Sequence, residues 1–168
     1  MPAADWMSLA EWVGAFRELH EQARRGKLDA REFERYEEER EALAKALLVA
    51  QCLAVKPGMT ARRTLRVTRA LPVELKLGNR TEKAVTLDLA LGGFAVMLAK
   101  PSRVDERIEF VLALKEGAPL SGRARVVNLQ RKGKPYRVAF AFEDLSTADA
   151  KRVGFEVFDA ALANVPPR

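Results

Sequence analysis

Val85-Thr86-Leu87-Asp88-Leu89-Ala90-Leu91-Gly92-Gly93-Phe94 is the stretch on which the fold turns. Lys83 to Leu89 reads as a strand, Gly92-Gly93 as a tight turn, and Phe94-Ala95-Val96-Met97-Leu98 as the strand that returns. Asp88 closes the first of these strands, and its carboxylate can accept from the N1 and N2 hydrogens of a guanine. Gly92 and Gly93 permit positive φ and the close approach of a flat ligand to the backbone. Upstream stands Arg62-Arg63-Thr64-Leu65-Arg66, a segment too short and irregular for a helix. Arginine carries a fixed fork of donors that clamps a phosphate, stacks on a purine or pairs with guanine O6 and N7. Each motif by itself is commonplace: charges flanking a strand, and a plain hairpin turn. In this order they look like half of a receptor for something anionic and planar, such as a nucleotide.

The strands on either side extend the pattern. Leu65-Arg66-Val67 and Val73-Glu74-Leu75-Lys76-Leu77 alternate apolar and polar, as a half-buried strand does. Gly78-Asn79-Arg80 signals a turn. Arg107 to Leu114 alternates again, with Ile108, Phe110, Leu112 and Leu114 on one face, and Glu116-Gly117 turns the chain. Ala124 to Leu129 and Tyr136 to Phe142 make a hairpin across Lys132-Gly133-Lys134. Ser146-Thr147-Ala148-Asp149 is the cap of a final helix ending near Leu162. Six short strands with frequent turns suggest a small antiparallel barrel. The fold class expected is therefore α+β: an N-terminal helical hairpin (1–55), a six-stranded barrel with a closing C-terminal helix (56–163), and a tail (164–168).

The hairpin reads from two apolar stripes. Leu9, Trp12, Val13, Phe16, Leu19 and Ala23 recur at helical spacing behind a capping box at Ser8–Glu11. Gly26 stands where a left-handed stop is expected. Asp29-Ala30-Arg31-Glu32 offers a second cap. Phe33, Tyr36, Leu43, Leu47 and Leu48 follow, with Arg40 as the polar interruption, and the helix could reach Leu53. Such a pair cannot bury both stripes alone. It packs on its own chain, on a second copy of itself in a homodimer, or on a protein partner. Glu37-Glu38-Glu39 is read as a solvated face. Lys56-Pro57-Gly58 ends the helical region.

Composition narrows the function classes. Of 168 residues, 48% are hydrophobic and 31% charged, a globular balance with no apolar run long enough to span a bilayer, so no membrane insertion is expected. Residues 1–55 carry 8 Lys+Arg against 11 Asp+Glu, net −3; the remainder carries 21 against 12, net +9. The basic part calls for an anionic partner. A lone cysteine, Cys52, excludes an internal disulfide and reads as a small buried filler; with no secretory signal at Met1–Trp6, the expected compartment is cytoplasmic. His20, the lone histidine, falls on the hairpin and reads as a surface or interhelical residue. No spacing suits a metal, no Ser-His-Asp or Cys-His set can be assembled, and no Gly-rich Lys-Ser/Thr phosphate loop occurs. The expectation is no catalytic residue, no metal, no cofactor and no enzyme.

Residues 62–160 resemble a PilZ domain, the bacterial receptor module for cyclic di-GMP. The family pairs Arg-x-x-x-Arg with Asp/Asn-x-Ser-x-x-Gly. Arg62 and Arg66 match the first motif; Asp88 and Gly93 match the second. Arg137-Val138-Ala139-Phe140-Ala141-Phe142-Glu143-Asp144-Leu145-Ser146 resembles the family's last strand leading into its closing helix. The resemblance implies cyclic di-GMP as ligand, with Arg62 and Arg66 gripping phosphate and guanine, Arg63 assisting, Asp88 reading a guanine edge, and Gly92 and Gly93 leaving room. One position departs: the motif serine is Ala90. The lost hydroxyl hydrogen bond is worth ~0.5–1.5 kcal/mol, so affinity falls by up to about tenfold. Two other readings stand beside the receptor: a degenerate PilZ module that binds protein and no nucleotide, and, less favoured, a nucleic-acid binder driven by the +9 charge.

Overall fold

The computed structural model describes residues 9–53, 64–131 and 133–164. Expectations at Ser8, Lys56-Pro57-Gly58, Arg62, Arg63 and the last four residues, and the burial of Cys52, lie outside what is described. Two compact units divide the chain between Leu65 and Arg66, the second running to Ala161.

In the first unit, α1 (Leu9–Arg24) and α2 (Ala30–Leu53) form the expected hairpin. Gly26 ends α1 with φ +67°, the left-handed stop. A reciprocal capping box starts α2: the Glu32 amide donates to Asp29 Oδ1 at 2.8 Å, and the Asp29 amide donates to Glu32 Oε2 at 2.9 Å. Between the helices runs an aromatic column. Phe16 stacks on Tyr36 at 5.8 Å, and Trp12 follows Phe16 at 6.3 Å. His20 is buried and interhelical, its Nδ1 sharing a 2.7 Å hydrogen bond with the Tyr36 hydroxyl. Arg40, the polar break in the stripe, stands with its guanidinium 5.5 Å from the Tyr36 ring centroid, so the charge adds a cation–π contact to the apolar seam. Glu37 and Glu38 are exposed, and Glu39 pairs with Arg35 at 3.0 Å.

The second unit is a sheet closed on itself. Its strands are β1 (Arg66–Thr68), β2 (Pro72–Leu77), β3 (Arg80–Ala90), β4 (Gly93–Leu98), β5 (Arg107–Leu112), β6 (Leu120–Arg131) and β7 (Tyr136–Glu143), followed by α3 (Thr147–Ala163). All pairings are antiparallel. The order β3-β2-β5-β6-β7-β4 closes through β3–β4 into a six-stranded barrel, and β1 lies outside it against β3. The two alternating stretches Leu65–Val67 and Val73–Leu77 thus fall on separate strands, β1 and β2, on either side of a corner. β5 stops at Leu112, two residues short of the expected end. The alternation fills the barrel with Leu75, Leu77, Leu89, Val96, Ile108, Leu112, Val126 and Val138 around a cluster of phenylalanines, in which Phe94 lies 5.2 Å from Phe140 and 5.6 Å from Phe110. Removing this apolar surface from water is the main stabilising term.

Two features fix the geometry near the motif stretch. A bulge between Thr86 and Asp88 puts Leu87 in excess over β4. The corner between β1 and β2 is clasped by Thr86, which is buried. The Leu71 amide donates to its Oγ1 at 2.9 Å, that hydroxyl donates to the Arg69 carbonyl at 2.5 Å, and its amide donates to the Leu71 carbonyl at 2.9 Å. Thr86→Val keeps the shape but strands one N–H and one carbonyl. It is expected to lower stability by about 2–4 kcal/mol, readable as a shift in a urea midpoint at unchanged slope.

The Ser146 hydroxyl accepts from the Asp149 amide at 3.1 Å and caps α3 as expected. Arg152 donates to the Ala118 carbonyl and Glu156, one turn on, pairs with Arg69, so one face of α3 is tied to two barrel loops.

Candidate functional site

The site is set by strand register. β3 shares its last residues between two neighbours. On one edge Arg66 of β1 pairs with Ala90 and Thr68 with Asp88; on the other, Gly93 of β4 pairs with Ala90 and Ala95 with Asp88. Directly paired residues point to the same face. One row therefore reads Thr68, Asp88, Ala95, Ala139, and the next reads Arg66, Ala90, Gly93, Ala141. Arg66 and Asp88 are diagonal neighbours on one face, about 7–8 Å apart at Cα.

The bulge is why Asp88 is on that face at all. Thr86 and Leu89 both point inward and are buried, with Leu87 and Asp88 between them turned outward. Unbroken alternation would have put Asp88 on the Thr86 side, in the barrel interior.

Gly92 and Gly93 depart from expectation. Neither has positive φ; the described glycines that do are Gly26, Gly78, Gly117 and Gly133. A Cβ on Gly93 would stand 1.9 Å from the Phe140 carbonyl oxygen, so this glycine is required by the close approach of β7. Among the described residues nothing lies within 4 Å of such a Cβ on Gly92, which leaves space beside the turn. Ala90 is buried at the meeting of β1, β3 and β4.

One residue was missed in the sequence. Arg137 of β7 donates from Nη2 to Asp88 Oδ2 at 2.6 Å, the two side chains being only 17% and 19% exposed. It pairs with Met97, so its arm reaches Asp88 across the whole of β4, beside Ala95, whose single methyl leaves the path clear. The signal was a lone charge in the otherwise apolar run Tyr136–Phe142, at an outward position; its partner could not be read without knowing that β7 neighbours β4.

An open hollow at the other end of β3, lined by Leu77, Asn79, Arg80, Arg103, Asp105 and Glu106, mixes both charges and suits a dianion poorly. Among the described residues no group of His, Cys, Asp and Glu could hold a metal ion, and no helix is long and apolar enough to cross a membrane.

A six-stranded barrel with an outside strand, basic residues ahead of it and an acidic strand end beside a glycine turn defines a small class of β-barrel modules. The family model described as PilZ domain matches residues 60–159, and the chain belongs to that family. Solved structures share the fold. The inhibitor of motility MotI/DgrA of Bacillus subtilis superposes with a TM-score of 0.56 at 16% identity, over 64% of this chain and 54% of that one. The PilZ domain of Escherichia coli YcgR, solved with c-di-GMP, gives 0.52 at 21% identity, over 61% and 92%. The MrkH–c-di-GMP complex of K. pneumonia gives 0.54 at 20% identity, over 62% and 54%. The match thus spans about half the length of MotI/DgrA and of MrkH. No curated protein matches this chain in sequence.

Proposed function

We propose that this protein is a non-enzymatic receptor for cyclic di-GMP. Arg62, Arg63 and Arg66 would grip phosphate and guanine, and Asp88 would accept from a guanine edge beside Ala90, Gly92 and Gly93. The observation that carries the reading is the β1–β3 register, which sets Arg66 opposite Ala90 and diagonal to Asp88, so a described residue of each motif shares one face. Membership of the PilZ family and the c-di-GMP complexes of YcgR and MrkH lend it support. The arginine motif follows the helical hairpin directly in the chain, so ordering the motif on a ligand is the signal that the hairpin would pass on, to a protein partner or to a second copy of the chain. The cytoplasm, where a soluble dinucleotide is met, is the compartment this reading implies.

Calorimetric titration with cyclic di-GMP tests it. Micromolar or tighter binding is expected in the wild type, lost in Arg62→Ala and Asp88→Ala, and up to about tenfold tighter in Ala90→Ser, which returns one neutral hydrogen bond. No heat in the wild type, in Ala90→Ser or in a folded variant that removes the Arg137 partner of Asp88 would refute the receptor.

A second reading, a module that binds protein and no nucleotide, is favoured by Ala90 and by the engagement of Asp88 with Arg137. It predicts no nucleotide binding and a partner captured by the hairpin. A nucleic-acid binder would instead show steep salt dependence with little effect of Asp88→Ala.

A further inference from the structure

We propose that Arg137 is a built-in competitor for the guanine edge, a guanidinium that occupies the carboxylate Asp88 would offer to the base. The inference rests on the receptor reading above and deepens it.

The chemistry of the two donors is alike. A guanine presents N1–H and N2–H side by side in one plane; an arginine presents a planar fork of N–H groups. Each finds its best acceptor in a carboxylate that meets it with both oxygens. Asp88 Oδ2 already takes the Arg137 Nη2 donor at 2.6 Å, a short charge-assisted contact. The pair is more than four-fifths buried, so little room remains around Oδ2 for a second donor. A guanine edge seated on both oxygens and the Arg137 contact are therefore alternatives, and docking of the base requires the ion pair to open.

The reach of Arg137 makes such opening local. It arrives from β7, two strands away, along an arm that crosses β4 beside Ala95. Rotation about its side-chain torsions moves it aside with no change in the β3–β4 ladder. The apparent affinity is then the intrinsic one multiplied by the fraction of molecules in which the pair is open. In this chain the device acts together with Ala90: the pocket lacks one hydroxyl donor and must also displace an internal cation, so its threshold for ligand is set high twice over.

The test is calorimetry with cyclic di-GMP and cyclic di-AMP on the wild type, Arg137→Met, Arg137→Gln, and Arg107→Met as a control for lost charge at an exposed position on β5. Melting curves confirm that each variant is folded, and the glutamine variant serves if the methionine variant is not. The expected result is cyclic di-GMP binding on the order of tenfold tighter in Arg137→Met than in the wild type, the low end of what one charge-assisted hydrogen bond supplies. Arg107→Met should show no such gain. Neither should cyclic di-AMP, because adenine lacks the paired N1–H and N2–H donors. Binding only in the Arg137 variant would support the competitor in its strongest form. A wild type that binds, with folded Arg137 variants equal or weaker, would overturn the competitor and leave the receptor standing; Arg137 would then be a support for Asp88 or a ligand contact. Silence in the wild type and in every folded variant would end both.

Discussion

Gly93→Ala is expected to abolish the cooperative unfolding transition of the barrel. The added methyl would lie 1.9 Å from the Phe140 carbonyl oxygen, 2.9 Å from its carbon and 3.1 Å from the Ala141 Cα. All three are backbone atoms, so no rotamer change relieves the overlap. Gly93 also pairs with two strands at once, with Ala90 of β3 and Ala141 of β7. Backing β4 away from β7 drives it towards β3 or opens the seam through which the barrel closes. Domains hold together by ~5–15 kcal/mol, and a loss above ~4–5 kcal/mol from one substitution belongs to overlaps of this kind. Thermal melts by circular dichroism check it, with Gly92→Ala alongside. Among the described residues nothing lies within 4 Å of the new methyl at Gly92, so that variant should melt within a few degrees of the wild type. A Gly93→Ala protein that melts like the wild type would show that β4 and β7 do not approach as described. Two adjacent glycines of one motif thus separate into a structural requirement and an opening on the surface.

How much of this was legible depended on whether the determinant was local. The start of α2 was, because Asp29 and Glu32 answer each other within one turn. So was the left-handed stop at Gly26 and the cap at Ser146, each fixed by a few adjacent residues. The barrel was legible through alternation, since one face of each strand had to be apolar. Alternation failed where the backbone departs from the pleat. Val85, Leu87 and Leu89 alternate with Thr86 and Asp88, yet Val85 is 54% and Leu87 39% exposed while Leu89 is fully buried. The bulge that causes this is set by pairing with β4, and nothing in Val85–Ala90 announces it. The separation of β1 from the barrel was hidden for a related reason: the corner at Arg69–Leu71 is made by the Thr86 hydroxyl, a strand away in space. In the candidate site, Asp88 and Arg66 could be named from motif spacing. Arg137 could not, because its meeting with Asp88 exists only once β4 has been inserted between β3 and β7.

The second large effect is expected at Glu156. Its Oε1 takes both Nε and Nη2 of Arg69, at 3.1 and 3.0 Å, with the side chains 6% and 11% exposed. Two ions removed from water at one spot hold each other at a heavy desolvation cost, so the pair as a unit adds little net stability. Breaking it is another matter. Glu156→Ala leaves the Arg69 guanidinium enclosed at the β1–β2 corner without its acceptor, and should cost about 3–5 kcal/mol in a urea titration. Arg69→Ala should cost a similar amount by leaving the carboxylate enclosed. Replacing both at once, Arg69→Met with Glu156→Leu, should recover most of the loss, because apolar residues of similar volume need no counter-charge. That non-additivity is the diagnostic, since two independent packing defects would sum. A Glu156→Ala loss below about 1 kcal/mol would mean that water reaches the guanidinium. The pairing also bears on the site: Arg69 follows Thr68, the residue opposite Asp88, so α3 fixes through Glu156 the course of the short strand on which Arg66 stands. Loss of the pair should therefore loosen β1 before the barrel itself, and amide hydrogen exchange in Glu156→Ala should rise first at Arg66–Thr68 and last in β5 and β6.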